Sequence, residues 1–207
     1  MPENLHKLFV ISSPSGGGKT SLINKLFEDS RSANFEKSIS DTSRQKRQGD
    51  LEGKDYYFLS EKDFKDKIKK EEYVEYATVF GNFYGTSKEE IKTKYNNSNL
   101  ILELDWQGAY AVKELFDDAK LIFLVPPSLD DLKQRLIKRN LDSSETIENR
   151  LSEAKKEIRK SEMYDYLVLN DDFDKAFEDL SQILFEGISP IDFNSRASKD
   201  LIKRLVE

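Results

Sequence analysis

The transition at residues 8–22 constrains the fold of this chain more than any other feature, because an apolar run gives way to glycines and then to a helix-compatible stretch. Gly16, Gly17 and Gly18 allow backbone conformations that other residues avoid, so successive N–H groups can turn inward around one anion. A helix that begins near Lys19 adds the positive end of its dipole at the same place. The order of strand, glycines and helix therefore predicts an α/β core with a phosphate-binding loop.

The residues after the glycines indicate what the loop holds. Lys19 supplies a mobile charge for the β- and γ-phosphates of a nucleotide, and the Thr20 hydroxyl is placed to ligate a magnesium ion. The strict pattern G-x-x-x-x-G-K-[ST] begins with glycine, where this chain has Ser13. The alternative is an ordinary glycine-rich turn with Lys19 exposed to solvent. We favour the phosphate loop because strand, glycines, Lys-Thr and helix occur in the order that phosphate binding requires.

Bulk composition is typical of a compact cytoplasmic protein and argues against several other classes. The 207 residues are enough for one main domain with a smaller insertion. The absence of cysteine excludes disulfides and thiolate metal sites. The net charge of −6 argues against a nucleic-acid partner. No apolar run approaches membrane-spanning length and the N-terminus lacks the apolar core of a signal peptide, so we expect a cytoplasmic location and no membrane partner.

Short apolar runs alternate with amphipathic segments along most of the chain, which is typical of an α/β fold. The runs 8–12, 100–105, 121–125 and 166–170 are too continuously apolar for half-exposed antiparallel strands, so they are predicted to be buried parallel strands. Ser128 marks a helix start after two prolines, and residues 146–163 have the spacing of a long charged helix. A last helix is predicted over 195–206.

The pattern changes between residues 35 and 87. Segments 54–59 and 74–80 are aromatic and β-branched, and five of the nine tyrosines of the chain fall in this region. We therefore predict a small, mostly antiparallel sheet inserted into the main fold. The predicted domains are a core over 1–34 and 88–207, which includes a lid at about 135–150, and an insertion over 35–87.

Five further segments occur in a recognisable order: SISDTSRQKRQG at 38–49, GKDYYF at 53–58, FGNFYGTS at 80–87, DWQG at 105–108 and NDDFD at 170–174. Together they resemble guanylate kinase, over about residues 8–184. The resemblance implies a P-loop NTPase core with a parallel sheet flanked by helices, a GMP-binding insertion and a helical lid. It also implies phosphoryl transfer from ATP to GMP with Mg²⁺, giving ADP and GDP.

The resemblance implies donor-side and catalytic residues. Phosphoryl transfer spreads charge over the equatorial oxygens of a loose transition state, and arginines that a lid delivers on closure stabilise that charge. Read locally, the lid arginines would instead belong to an exposed charged helix. The implied catalytic set is Lys19, Arg44, Arg135, Arg139 and Arg150. The implied ATP-binding set is Ser13, Pro14, Ser15, Gly16, Gly17, Gly18, Lys19, Thr20, Ser21, Asn170 and Asp171, with Thr20 as the metal ligand.

The resemblance also implies an acceptor site. Arginine side chains bind phosphate through two parallel hydrogen bonds, and a carboxylate can accept from both N1–H and the 2-amino group of guanine, where adenine has a lone pair. Read locally, the arginines would be a solvated basic loop, Glu75 a solvent-facing strand residue and Asp105 a helix cap. The implied GMP-binding set is Ser40, Arg44, Arg47, Tyr56, Glu75, Tyr84, Thr86 and Asp105.

Three positions depart from the family pattern, and three rival functions stay open. Glu103 stands where aspartate is common, Lys46 where proline is common and Asn140 where glycine is usual. The rivals are a non-catalytic guanylate-kinase-like binding module, a related P-loop kinase for another phosphorylated acceptor, and a nucleotide-binding regulator. The joint presence of Glu75, Ser40 and Thr86 argues against the related kinase, and the intact Lys19-Thr20 argues against the binding module.

Overall fold

A computed structural model of the protein describes residues 6–79, 81–138, 144–192 and 195–207. It contains two sheets and the helices that cover them. The strands are β1 (Leu8–Ser12), β2 (Phe35–Lys37), β3 (Asp41–Thr42), β4 (Tyr57–Phe58), β5 (Tyr73–Val79), β6 (Asn82–Ser87), β7 (Asn99–Glu103), β8 (Lys120–Val125) and β9 (Tyr166–Leu169). The α-helices are α1 (Lys19–Glu28), α2 (Glu61–Lys69), α3 (Lys88–Tyr95), α4 (Trp106–Leu115), α5 (Leu129–Lys138), α6 (Ser144–Arg159), α7 (Phe173–Ser181) and α8 (Arg196–Val206).

The larger sheet has five parallel strands in the order β2-β7-β1-β8-β9. All five residues of β1 are buried, because helices cover both faces of the sheet. Leu8 and Val10 belong to one apolar cluster and Phe9 and Ile11 to the other, as the period-two alternation of a strand requires. The prediction of a mixed α/β fold with a parallel sheet flanked by helices is confirmed.

The two faces of this sheet carry separate apolar layers. One layer packs side chains of β1, β7 and β8 against α3, α4, α6 and α8, including Ile91, Val112, Ile158 and Leu205. The other packs Leu22, Ile23 and Leu26 of α1 and Leu180 of α7 against the opposite face. The long predicted helix over 146–163 is α6 followed by a 3₁₀ segment, Lys160–Met163. None of the helices in the described part of the chain is long and apolar enough to cross a bilayer.

The smaller sheet has the strand order β4-β3-β6-β5, with antiparallel pairing of β3 with β6 and of β5 with β6. Its core is Phe64 of α2, which is fully buried and stacks on Tyr73 at 4.5 Å and on Phe83 at 5.3 Å between ring centroids. The predicted separate, mostly antiparallel sheet is therefore present. The strand positions were predicted only in part: within the segment 54–59, only Tyr57 and Phe58 form a strand, β4.

Residues 35–37, which the domain prediction placed in the insertion, form β2 at the edge of the larger sheet. Ser38 continues this pairing, since its backbone N–H donates to the Ile101 carbonyl at 2.9 Å. The chain then leaves the larger sheet and enters the smaller one at Asp41. The residues that follow the carboxyl ends of β1, β7 and β9 meet at one edge of the larger sheet, which is where open parallel sheets place their ligands.

Candidate active site

The phosphate loop lies between β1 and α1. Its turn is closed by a hydrogen bond from the Gly17 N–H to the Pro14 carbonyl at 2.8 Å. Gly16 and Gly18 have φ angles of +87° and +93°, a region that side chains with a Cβ rarely adopt. Gly18 is the N-cap of α1 and carries no capping side chain, so the N-terminal N–H groups of the helix remain available for an anion.

Asn170, directly after β9, fixes the loop from the other side. It is buried, its Nδ2 donates to the Gly17 carbonyl at 2.7 Å, and its own N–H donates to the Val125 carbonyl at 2.8 Å. Arg135 of α5 donates to the Asn170 carbonyl at 2.7 Å. The fold therefore brings three predicted segments, the loop, the Asn170 turn and the start of the lid, into contact.

Lys19 is held in a desolvated position within this edge. Its Nζ donates to the Leu104 carbonyl, at the end of β7, over 3.0 Å. Burial lowers the pKa of the Lys19 ammonium, while the negative charges of Glu103, Asp105 and Glu157 act in the opposite direction. An ammonium that has already lost much of its water interacts more strongly with an incoming phosphate than a solvated one.

Thr20 and Glu103 bring oxygen atoms together next to Lys19. The Thr20 hydroxyl donates to Glu103 Oε1 at 2.5 Å, and Lys37 Nζ lies 2.7 Å from Glu103 Oε2. Burial opposes ionisation of Glu103, but the hydrogen bonds from Lys37 and Thr20 outweigh it and the pKa of Glu103 lies below its ordinary value. Mg²⁺ prefers oxygen ligands and is commonly held by one or two carboxylates together with substrate phosphates, so this oxygen pair fits it. In the described part of the chain, no three acidic or histidine side chains form a metal site by themselves.

Glu157 of α6 adds a carboxylate near Lys19 that the sequence did not single out. Its Oε2 is buried and has no hydrogen-bond partner among the described residues. Burial raises the pKa of Glu157 to about 7 from an ordinary value of 4.5, and the charge of Asp105 adds to the rise. The Ser161 hydroxyl is likewise buried and has no hydrogen-bond partner among the described residues. Glu157 and Ser161, four residues apart, therefore each bury a polar atom that is unpaired within the described residues.

The smaller sheet presents a cationic and aromatic cluster. The Tyr56 and Tyr84 rings lie 5.7 Å apart, and the Arg44 guanidinium carbon lies 5.5 Å from the centre of the Tyr56 ring. Arg44 Nη1 donates to Asp50 Oδ2 at 2.9 Å, and the same oxygen accepts from the Arg47 backbone N–H at 2.7 Å. The hydrogen bond from Arg44 keeps the pKa of Asp50 below its ordinary value. Asp50, which the sequence did not single out, thus shapes the loop that carries both predicted arginines.

A second cluster, where the smaller sheet meets the start of α4, brings Glu75 and Thr86 near Asp105. The Thr86 hydroxyl donates to Glu75 Oε1 at 2.6 Å. Burial raises the pKa of Glu75; the Thr86 hydrogen bond opposes the rise and the charge of Asp105 reinforces it. A Cβ added at Gly108 would lie 3.1 Å from Glu75 Cγ, so α4 approaches the Glu75 side chain closely. Asp105 also caps α4, since its Oδ1 accepts from the Gly108 N–H at 2.9 Å.

One cavity of about 380 Å³ joins the phosphate loop to the smaller sheet. Lys19 and Thr20 line it from the start of α1, and Ser40 and Tyr56, which directly precede β3 and β4, line it from the side of the smaller sheet. The remaining lining residues are Lys37, Ser38, Lys54, Asp55 and Glu103. A larger cavity, of about 720 Å³, lies elsewhere, between the end of α6 and α8. We regard the smaller one as the chemically relevant cavity because it contains Lys19 and the oxygen pair of Thr20 and Glu103.

The remaining predicted site residues are placed less tightly. Arg150 Nη1 lies 3.5 Å from the Ser15 Oγ, so α6 reaches the phosphate loop. Ser21 and Asp171 are exposed, and Ser13 Oγ donates to the neighbouring Pro14 carbonyl at 3.2 Å. Arg47 is exposed on its loop. Arg139 and Asn140 lie outside the described residues.

A phosphate loop at the edge of a parallel sheet, together with a second sheet that carries its own cationic and hydrogen-bonding clusters, is the arrangement of a P-loop kinase. The family model for guanylate kinase matches residues 5–187 of this chain. The chain belongs to the guanylate kinase family.

Similar proteins agree with this family. The guanylate kinase of Wolbachia sp. subsp. Brugia malayi is 45% identical over 184 residues, which cover 88% of this chain and 93% of that relative. The guanylate kinase of Hahella chejuensis is 47% identical over 178 residues, which cover 86% of this chain and 85% of that relative. The crystal structure of guanylate kinase from Anaplasma phagocytophilum matches with a TM-score of 0.68 and 31% identity, covering 99% of this chain and 98% of that one. The similarity therefore includes both sheets.

Proposed function

We propose that the protein transfers the γ-phosphoryl group of ATP to the phosphate of GMP, giving ADP and GDP. The observation that carries this proposal is that one cavity is lined by Lys19 and Thr20 on one side and by Ser40 and Tyr56 on the other. A donor phosphate on the loop and an acceptor phosphate on the smaller sheet would meet in this cavity. The acceptor phosphate is itself the nucleophile, so the reaction requires no nucleophilic side chain.

The chain contributes charge and position to the transfer. On this proposal the loop N–H groups and Lys19 hold the donor phosphates, while Arg44 and Arg47 hold the acceptor phosphate with the hydroxyls of Tyr56 and Tyr84.

Arg135 and Arg150, together with Arg139, offset the charge that spreads over the transferring group. Lys19 would exchange the Leu104 carbonyl for phosphate oxygens, a stronger, charge-assisted partner.

We further propose that Thr20 and Glu103 hold the magnesium ion of the donor, Thr20 through its hydroxyl and Glu103 directly or through water. The Thr20–Glu103 contact of 2.5 Å supports this, because it collects two oxygen ligands beside the loop. When bound, the ion would neutralise negative charge on the donor phosphates. Glu103 is one methylene longer than the aspartate common in the family, and its reach to Thr20 makes it suitable for this role.

Guanine selection is proposed for Glu75, Thr86, Ser40 and Asp105. A carboxylate held by Thr86 on one oxygen keeps acceptor capacity for N1–H and the 2-amino group of guanine. Adenine offers a lone pair at the first of these positions and no 2-amino group, so the partly buried Glu75 would face it unpaired. Sites that leave a polar group unpaired in this way discriminate by roughly 10⁴-fold or more.

The test is product formation with a loop variant as control. Incubation with ATP, Mg²⁺ and GMP should give ADP and GDP in equal amounts, measured by ion-exchange chromatography. Lys19→Ala should remove most of this turnover and leave GMP binding largely intact. Lys25→Ala, on the exposed side of the same helix, should leave both turnover and GMP binding intact. GMP binding without turnover in the parent protein would favour the binding-module rival. Near-normal turnover in Lys19→Ala would contradict the role given to the phosphate loop.

A further inference from the structure

Lys37 is a charged residue of the cavity that has no role in the account above. It is the last residue of β2, and β2 pairs with β7 so that Lys37 lies opposite Ile101, two residues before Glu103. Its Nζ lies 2.7 Å from Glu103 Oε2. It also lines the same cavity as Lys19 and Thr20.

The backbone on either side of this ion pair is fixed by the fold. The Lys37 carbonyl accepts from Lys94 Nζ at 2.8 Å, and the next residue, Ser38, donates its N–H to the Ile101 carbonyl at 2.9 Å. The end of β2 is therefore held both by α3 and by the neighbouring strand. The position from which Lys37 reaches Glu103 is set by these contacts rather than by a free surface loop.

The two oxygens of Glu103 have different partners. Oε2 is paired with Lys37, whereas Oε1 accepts the Thr20 hydroxyl at 2.5 Å. A carboxylate held at one oxygen cannot turn that oxygen away, so its other oxygen keeps a fixed direction. Here the fixed direction is toward Thr20, the residue next to Lys19 at the start of α1.

We propose that Lys37 is a positioning residue, which holds Glu103 Oε2 so that Oε1 and the Thr20 hydroxyl form a preset oxygen pair for the divalent cation of the donor nucleotide. This inference rests on the proposed function, because it concerns the same donor site. Residues that orient a metal ligand from outside the coordination shell commonly change metal affinity by about 10–100-fold when they are replaced. Lys37 acts in this way through Glu103 and not by contact with phosphate.

Calorimetric binding of ADP with and without Mg²⁺ tests the proposal without turnover. In the parent protein Mg²⁺ should increase ADP affinity, and Lys37→Met should reduce that increase by about tenfold or more while changing metal-free ADP affinity by less than about twofold. Glu103→Gln should give the same loss, and the double variant should be no worse than Glu103→Gln alone. Lys37→Arg should retain most of the increase, since a guanidinium can still hold the carboxylate.

Lys54→Met is the matched control, because Lys54 lines the same cavity but, within the described residues, forms no hydrogen bond or ion pair with Glu103. It removes the same charge and should leave the Mg²⁺-dependent increase in place. Three results would each overturn the proposal. Lys37→Met could lose ADP affinity equally with and without Mg²⁺, the double variant could lose more than Glu103→Gln alone, or Lys37→Met could keep the full Mg²⁺-dependent increase in ADP affinity. The Lys37 side chain is 39% exposed, so Lys37→Met should still fold, and Lys37→Gln with a thermal unfolding check gives a second measurement.

The two proposals fail in different ways. Absence of GMP-dependent ADP formation in the parent protein would contradict the proposed function. Normal turnover together with a Lys37→Met variant that keeps its full Mg²⁺-dependent ADP affinity would contradict only the role of Lys37.

Discussion

Replacing Glu157 by glutamine should stabilise the protein, and more so at high pH. The folded chain buries one oxygen of this carboxylate without a partner among the described residues. Burial raises the pKa of Glu157 from 4.5 to about 7. Each unit of such a shift corresponds to about 1.4 kcal/mol, so an ionised Glu157 destabilises the fold by about 3 kcal/mol.

The direction in which stability changes with pH follows from proton binding by the two states. Between pH 4.5 and pH 7 the folded state holds the Glu157 proton more tightly than the unfolded state does, so stability falls as the pH rises through this window. Below the window both states are protonated, and above it both are ionised and the full destabilisation is present. Glu157→Gln removes the titration and should therefore add about 3 kcal/mol near pH 8 but only about 1 kcal/mol near pH 5.

Urea unfolding at the two pH values measures this difference directly, because the linear extrapolation gives the free energy of unfolding. Glu153→Gln is the control. It lies one turn earlier on α6, its side chain is 64% exposed, and it pairs with Lys156 at 2.6 Å. Its effect should stay within about 0.5 kcal/mol at both pH values. Equal effects of Glu157→Gln at pH 5 and pH 8, or destabilisation at pH 8, would refute the reasoning and indicate that Glu157 has a charged partner.

Three further predictions concern the site. Glu75→Gln should weaken discrimination against AMP by about 1–3 kcal/mol in kcat/KM, and unchanged rejection of AMP would mean that guanine is read elsewhere. Arg47→Lys keeps the charge but loses the paired donors of the guanidinium, so the KM for GMP should rise severalfold with kcat retained. An unchanged KM would mean that Arg47 is a solvent-exposed side chain that does not bind the acceptor phosphate. Gly18→Ala would place a Cβ 2.3 Å from Asn170 Nδ2 at a φ of +93°. The free energy of unfolding should therefore fall by about 1–3 kcal/mol, and ATP binding should weaken. Unaltered ATP binding would show that the loop tolerates another shape.

The core sheet was predictable from sequence because its strands are continuously apolar. The segment 8–12 coincides with β1, and the predicted strands near 100, 121 and 166 correspond to β7, β8 and β9 within about one or two residues. The glycines of the phosphate loop were equally informative, since a positive φ at Gly16 and Gly18 requires that residue type. These signals are local, so no knowledge of tertiary contacts is needed to read them.

The smaller sheet was harder to predict because its signals are short or atypical. Helix α2 has Phe64 as its only buried residue among many charges, although Ser60 and Asp63 form a recognisable cap. The segment 54–59 is aromatic, but the Gly53 N–H donates to the Tyr56 carbonyl at 3.0 Å and folds its first half into a turn. The sequence pattern alone therefore overestimated the length of β4 and did not predict α2.

Contacts between distant residues could not be predicted from spacing. Lys37 and Glu103 are separated by 66 residues, and Lys19 and Leu104 by 85. They meet because β1 and β2 both lie next to β7 in the larger sheet. The burial that shifts the pKa of Glu157 likewise depends on how α6 packs, since its own sequence is that of a charged surface helix.

The most direct test of the central claim compares acceptors at a fixed concentration of ATP and Mg²⁺. ADP formation would be followed with GMP, dGMP, AMP, UMP and CMP, one at a time. Turnover confined to GMP and dGMP is the predicted result, because it requires the phosphate loop, the acceptor arginines and the carboxylate of Glu75 to act together. Comparable turnover with AMP or a pyrimidine nucleotide, or no turnover with GMP, would contradict the account.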